Sequence, residues 1–241
     1  MVIEFNIESQ MPELEKLKNI ITDNTASIVP FDLNKKNLVI LDLSEANEEL
    51  HQFNLLETDQ FTKYIFNKLE QNNTPVGIGK YNEDRIVYKS LLFNSDQGPR
   101  SIHIGIDIWA EAGTKIFSPL DAKVHSFKNN SAYLDYGPTI ILEHSINEIA
   151  FYTLYGHLSV DSITNLKEGQ IIKIGEEIAR MGEATVNGTW PPHLHFQIIT
   201  DMNGKKGDFP GVVSPSKREK YLEICPDPNL ILRIESLKNS A

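Results

Sequence analysis

Thr189-Trp190-Pro191-Pro192-His193-Leu194-His195-Phe196-Gln197-Ile198 is the stretch from which the rest of the chain is read. From His193 onward polar and apolar residues alternate, the period of a half-buried strand. Residues two apart on a strand share a face and stand roughly 6–7 Å apart. His193 and His195 are then too distant to hydrogen-bond each other. The spacing suits one imidazole on a metal ion and the other beside a metal-bound water; two ligands on one ion fit it as well. Pro191 and Pro192 lack a backbone N–H and restrict the residue before each, which fixes the approach to the strand.

Outward from this strand the texture is repetitive. From Ser101 on, short runs separated by Gly, Pro, Asn and Asp predict strands near 102–109, 114–117, 121–127, 131–134, 138–144, 150–156, 171–173, 177–181 and 193–199. Many short strands with little helical pattern predict a mainly β fold, an antiparallel sandwich or barrel-like groove. Gly169 to Ala179 reads as a tight turn between paired strands. Ser216 to Ile224 reads as a short helix, and Leu230-Ile231-Leu232 as a segment that docks back on the sheet.

Three further stretches carry histidines. In His103-Ile104-Gly105-Ile106-Asp107 the alternating isoleucines argue for extended chain. A straight strand would separate His103 from Asp107 by about 13 Å, at a rise of ~3.3 Å per residue. Zinc–ligand bonds are only about 2.0–2.2 Å long. Both residues reach one ion only if the chain bends, and Gly105 lies midway, where bending costs least. His157 follows the aromatic run Phe151 to Tyr155 and a glycine; taken alone it reads equally as a satisfied core histidine. His144 shares the parity of Ile140 and Leu142 and is placed at a strand end beside the site. His125 and His51 read as surface residues.

The N-terminal third is different. Leu14, Leu17, Ile20 and Ile21 in Met11–Ile21, and Phe61, Tyr64, Ile65 and Leu69, form helical stripes, and Leu38–Leu41 a strand. These are packing faces of a small α+β extension over 1–75, ended by the breaker cluster Asn72-Asn73-Thr74-Pro75. Residues 76–241 form the second unit, with its core at 98–200. Gly77-Ile78-Gly79 is rejected as a phosphate loop because no helix signal follows. Tyr81, Glu83 and Arg85 alternate into Ile86-Val87-Tyr88, an entry strand with polar groups on one face.

Composition narrows the function classes. The 241 residues carry a formal net charge of -10, which argues against nucleic acid and anionic lipid as partners. One cysteine, Cys225, forbids an intrachain disulfide. The first residues lack a basic, apolar leader, and no apolar run nears the ~18 residues of a membrane span. As the sequence stands the expectation is a cytoplasmic location, with export by another route left open.

Taken together, His103-x-x-x-Asp107, Tyr155-Gly156-His157-Leu158 and His193-Leu194-His195-Phe196 resemble the lysostaphin/LytM-type zinc metallopeptidases of family M23, a duplicated hybrid motif fold. Ala112-Gly113-Thr114, Ser118-Pro119-Leu120-Asp121 and Gly169-Gln170 add to the likeness, which covers roughly 98–200. Trp190-Pro191-Pro192 stands where many relatives carry a small residue, glycine and proline. Gly207 to Val212 and Pro226 to Leu230 resemble the branch also found fused to kinase-like and aminotransferase domains.

The resemblance implies an antiparallel groove with one zinc ion on its floor. It implies His103, Asp107 and His195 as ligands, and His157 and His193 as catalytic histidines. Three ligands leave a fourth position for water, the mark of a catalytic zinc. One carboxylate and two imidazoles leave the site cationic, and a neutral imidazole nearby can take a proton from the water. His193 is the preferred base, with His157 orienting water or stabilising an oxyanion; the sequence leaves the assignment open. The implied reaction is peptide hydrolysis, in peptidoglycan or other small-residue peptides. A catalytically silent binding module on this fold and a histidine phosphocarrier are the alternatives, and the His103–Asp107 pair is a feature a phosphocarrier does not need.

Overall fold

Leu38–Leu41 begins the ordered sheet. The structure, a computed structural model, describes residues 25–89, 93–95 and 98–238. The helical stripe expected over 11–21 lies outside these residues. Strand β1 is Val39–Leu41. Phe61, Tyr64, Ile65 and Leu69 then form the buried face of helix α1, Thr58–Gln71, since spacings of three and four bring them to one side. After the breaker cluster the chain returns as β2, Gly77–Gly79, parallel to β1. A parallel pair needs a crossover, and α1 supplies it.

The entry strand expected at 81–88 is corrected. Strand β3 spans only Glu83–Asp84, and Ile86–Lys89 tighten into a 3-10 helix. Val87 and Tyr88 are both buried, which successive residues of a one-sided strand cannot be.

Two short strands follow, β4 (Asn94–Ser95) and β5 (Gly98–Pro99). Then β6 (Ile102–His103) and β7 (Ile106–Trp109) lie either side of a bend at Gly105. The remaining strands are β8 (Lys115–Phe117), β9 (Ala122–Asn130), β10 (Gly137–Ile146) and β11 (Ile149–Gly156). They are followed by β12 (Ile171–Ile172), β13 (Glu177–Arg180), β14 (His193–Ile199) and β15 (Val212–Val213). The main sheet has eight strands in the order β1-β2-β7-β14-β11-β10-β9-β12. Every pair in it is antiparallel except β1 with β2. The fold is mainly β, as expected.

Two strand readings change. Residues 131–134 are a turn between β9 and β10, with Leu134 at φ 58°. The turn at 173–176 is present, with Gly175 at φ 76°, but its flanking strands part company. β12 joins β9 in the main sheet, whereas β13 pairs with β8 in a separate two-stranded sheet.

The alternation of β14 sets the layers. Leu194, Phe196 and Ile198 point into the main core with Ile106, Ile108, Ile140, Leu142 and Tyr155. Each such buried side chain contributes about 1.5–3 kcal/mol by leaving water. His193, His195 and Gln197 are left on the opposite face. A second cluster joins α1 to that face through Phe61, Trp109 and Trp190. Near the end Arg218–Ile224 is the expected helix. Asn229–Leu232 is helical too, and its Ile231 returns to the main core. Among the described residues no helix is long and apolar enough to cross a membrane.

Candidate metal and catalytic site

The register of four strands, β2, β7, β14 and β11, brings the site together. On β7 and β14, Asp107 lies directly opposite His195, and Trp109 opposite His193. Cross-strand partners share a face. The row continues outward to Gly79 beside Asp107 and Gly156 beside His195. Both flanking positions lack side chains for a reason. A Cβ on Gly79 would stand 2.7 Å from Arg85 Nη2, and one on Gly156 would stand 2.5 Å from Tyr136 Cδ1. The glycines let Arg85 and Tyr136 reach in over the row.

His103 arrives through the bend. Its Nε2 lies 3.2 Å from Asp107 Oδ1, far closer than a straight strand would allow. Gly105 is required there: an added Cβ would meet His195 Cε1 at 2.5 Å and Nε2 at 2.6 Å. His195 Nδ1 lies 3.2 Å from the same Asp107 Oδ1 and 2.9 Å from His103 Nε2. Three donor atoms from β6, β7 and β14 thus converge on one point.

The outer hydrogen bonds fix which nitrogen faces inward. His103 Nδ1 lies 3.1 Å from the Lys80 carbonyl, which can only accept, so in the neutral ring Nε2 holds the lone pair. His195 Nε2 lies 3.0 Å from Gln197 Oε1. The Gln197 amide is oriented in turn, because its Nε2 donates to Pro210 O at 3.2 Å. His195 Nδ1 therefore also presents a lone pair. Two lone pairs and a carboxylate oxygen facing each other repel unless a cation lies among them. Tetrahedral zinc with bonds of about 2.0–2.1 Å would separate its ligand atoms by roughly 3.3 Å. The residues present fit that ion.

Protonation agrees with the donor set. Burial pushes His103 down to about 3, helped by Arg85. Burial opposes ionisation of Asp107, but His103 and Arg85 hold its carboxyl well below the usual range. Neutral imidazoles and an ionised carboxylate are the forms that bind metal.

His193 and His157 stand beside this trio. Their ring centroids are 4.2 Å apart, and His193 Nε2 is 3.9 Å from Asp107 Oδ1. His193 Nδ1 is held by Pro191 O at 2.7 Å, and His157 Nδ1 by Asn187 O at 2.8 Å. Each carbonyl accepts a hydrogen bond from Nδ1–H, so in the neutral rings each Nε2 carries the lone pair and is a base. Burial lowers His193 to about 4 and His157 well below its ordinary value. His157 sits at φ 62°, a left-handed conformation of a kind that collects at functional sites. A cleft of about 530 Å³ opens over the group, lined by Tyr88, His103, Tyr136, His157, Trp190 and His195 among others.

Residues 101–208 match the model of Peptidase family M23. They form an M23 domain. Solved structures similar to the chain include a zinc-containing peptidase from Vibrio cholerae, 32% identical over 41% of this chain and 27% of that one, TM-score 0.33. Another is the catalytic domain of lysostaphin from Staphylococcus simulans, 24% identical over 50% of this chain and 80% of that one, TM-score 0.35. The chain spans about a quarter of the Vibrio protein's length. No curated protein matches it in sequence.

All five site residues read from the sequence lie in the M23 domain and meet in one place. The remaining histidines do not. His144 is corrected: its ring nitrogens bond to Asp121 O and Thr153 Oγ1, and it stacks on Phe151, away from the site. His51 is exposed and His125 half-buried on β9.

The supports that sequence reasoning missed lie partly before the M23 domain. Arg85 donates to Asp107 Oδ2 and, through Nε, to Glu83 Oε2 at 3.0 Å; it is 1% exposed. Lys80 holds His103 through its carbonyl. In the sequence Glu83 and Arg85 stand out only as polar members of an alternating run. Gln197 could have been found from parity, since it shares the face of His193 and His195. Asn187, wholly buried between Gly182 O and the Trp190 N–H, left no signal in the sequence.

Proposed function

We propose that the M23 domain is a zinc-dependent endopeptidase that hydrolyses peptide bonds in peptidoglycan-type or other small-residue peptides. The observation that carries this reading is the convergence of His103 Nε2, Asp107 Oδ1 and His195 Nδ1 beside two basic Nε2 atoms. His103, Asp107 and His195 would hold the ion. When bound, zinc supplies Lewis acidity to polarise a carbonyl and to acidify water.

The chain's own groups do the rest. His193 Nε2 takes the proton from the attacking water, its ring held in register by Pro191 O. His157, one ring away, orients that water through the lone pair on its Nε2, and the His193 imidazolium passes the proton it has taken to the leaving amine. Burial of all five residues excludes bulk water from the reacting atoms, which strengthens each electrostatic contact. Elemental analysis with mass-spectrometric digestion of defined peptidoglycan fragments tests the reading. Wild type should carry one zinc and cleave, and His193→Ala and His157→Ala should keep the zinc and lose about 10²–10⁴-fold in rate. Zinc-loaded wild type that cleaves no fragment or peptide would leave a silent binding module.

A further inference from the structure

Helix α1 lies outside the M23 domain, yet it touches the catalytic face through one ring. Phe61 packs edge-on against Trp109, centroids 5.5 Å apart, and against Trp190 at 6.4 Å. Trp109 lies face to face on His193, 4.0 Å away with planes 22° apart. Trp190 meets His157 edge-on at 6.4 Å. These are the chain's two tryptophans, and each touches one of the two catalytic histidines. A hydrogen bond from Thr58 Oγ1 to Thr189 O, 2.7 Å, pins the start of α1 to the segment leading into β14.

Each imidazole has a single hydrogen bond to a backbone carbonyl, which fixes the position of Nδ1 but not the tilt of the ring about it. The face of Trp109 on His193 and the edge contact of Trp190 with His157 supply that second constraint. Trp109 Nε1 has no hydrogen-bond partner among the described residues. A buried indole N–H left unpaired is costly, so what Trp109 contributes is its ring surface.

We propose that Phe61 is a positioning residue for both catalytic histidines, acting through Trp109 on His193 and through Trp190 on His157. Helix α1 is then a working part of the hydrolytic site. This rests on the peptidase reading above, because it takes His157 and His193 as the catalytic pair.

The test uses the full zinc-loaded chain. Phe61→Leu keeps the apolar volume and removes the flat ring. The expected result is a fall in kcat of about tenfold or more with KM within about twofold, at unchanged zinc content. The imidazole NMR signals of His193 and His157 should shift as the ring currents around them change, and the emission of the two tryptophans should shift with them. Leu69→Ala, on the same helix but packed against Gly77, should lower stability and leave kcat and the histidine signals alone. Trp109→Leu, which removes the ring stacked on His193, should lower kcat like Phe61→Leu at unchanged zinc content. If wild type is active and Phe61→Leu matches it in kcat and histidine signals, this proposal is overturned and the peptidase reading stands. If zinc-loaded wild type cleaves nothing, both are overturned.

Discussion

Arg85 donates from Nη1 to Oδ2 of Asp107, the carboxylate oxygen turned away from His103 and His195. One oxygen of Asp107 is thereby tied to a buried guanidinium, leaving the other aimed at the two imidazoles. Glu83 accepts from Arg85 Nε at 3.0 Å, and its other oxygen takes the Leu43 N–H at 3.1 Å and lies 3.2 Å from Lys80 Nζ. Arg85→Met would strand Asp107 without its guanidinium partner and leave Glu83 with Lys80 alone. The expected cost is about 3–5 kcal/mol of stability, and about 10–100-fold in zinc affinity. Denaturant midpoints of the apo chain and competition with a zinc chelator measure the two. Arg85→Lys should not restore the affinity, because an ammonium cannot span both carboxylates as the fork does.

Gly105 is both the hinge of the His103–Asp107 bend and the gap into which His195 fits. Gly105→Ala should displace the His195 ring and press on the β14 backbone at Phe196 O, 2.9 Å from the added Cβ, without unfolding the sheet. A displacement of about 1 Å in a reacting group is worth about 10² in rate. Peptide hydrolysis should fall by that order, and circular dichroism should show the strand content kept.

Gln197 fixes the tautomer of His195 by accepting from Nε2. Gln197→Leu removes that acceptor and should lower zinc affinity about 10–100-fold. Gln197→Glu keeps an oxygen there and should lose less. Chelator competition at one pH ranks the three proteins.

How much of this was legible beforehand follows from what each residue type must do locally. The face of β14 was readable because a strand's period of two leaves no freedom once Leu194, Phe196 and Ile198 go into the core. The bend at Gly105 was readable once the resemblance made His103 and Asp107 ligands of one ion, because metal-bond lengths then forbid a straight strand. Arg85 was not, since its partner lies 22 residues away and the pairing of β3 with β6 is what carries it to the site. The turn at 131–134 misled because Tyr133 and Leu134 have strand-like side chains, whereas Leu134 adopts a left-handed backbone. His144 misled because its parity matched apolar neighbours, and it is one of them: a core histidine paired across to Thr153.

His144 gives a pH dependence separate from the metal site. Burial lowers it to about 4 from 6.5. A depressed folded-state value means that between pH 6.5 and 4 the unfolded chain binds a proton the folded one does not. Its contribution is therefore intact above 6.5 and is lost as pH falls through that window, up to about 3 kcal/mol. Urea unfolding of the zinc-loaded chain across this range should show a shallower decline in His144→Gln, by up to one proton per molecule. Parallel curves for the two proteins would contradict the assignment.

The most direct measurement is anomalous diffraction at the zinc absorption edge from crystals of the chain grown with zinc. The account predicts one strong peak bounded by His103 Nε2, Asp107 Oδ1 and His195 Nδ1, with His193 and His157 close by but not bonded to it. Zinc-containing crystals with no peak at that point, or with the peak held by other residues, would contradict it.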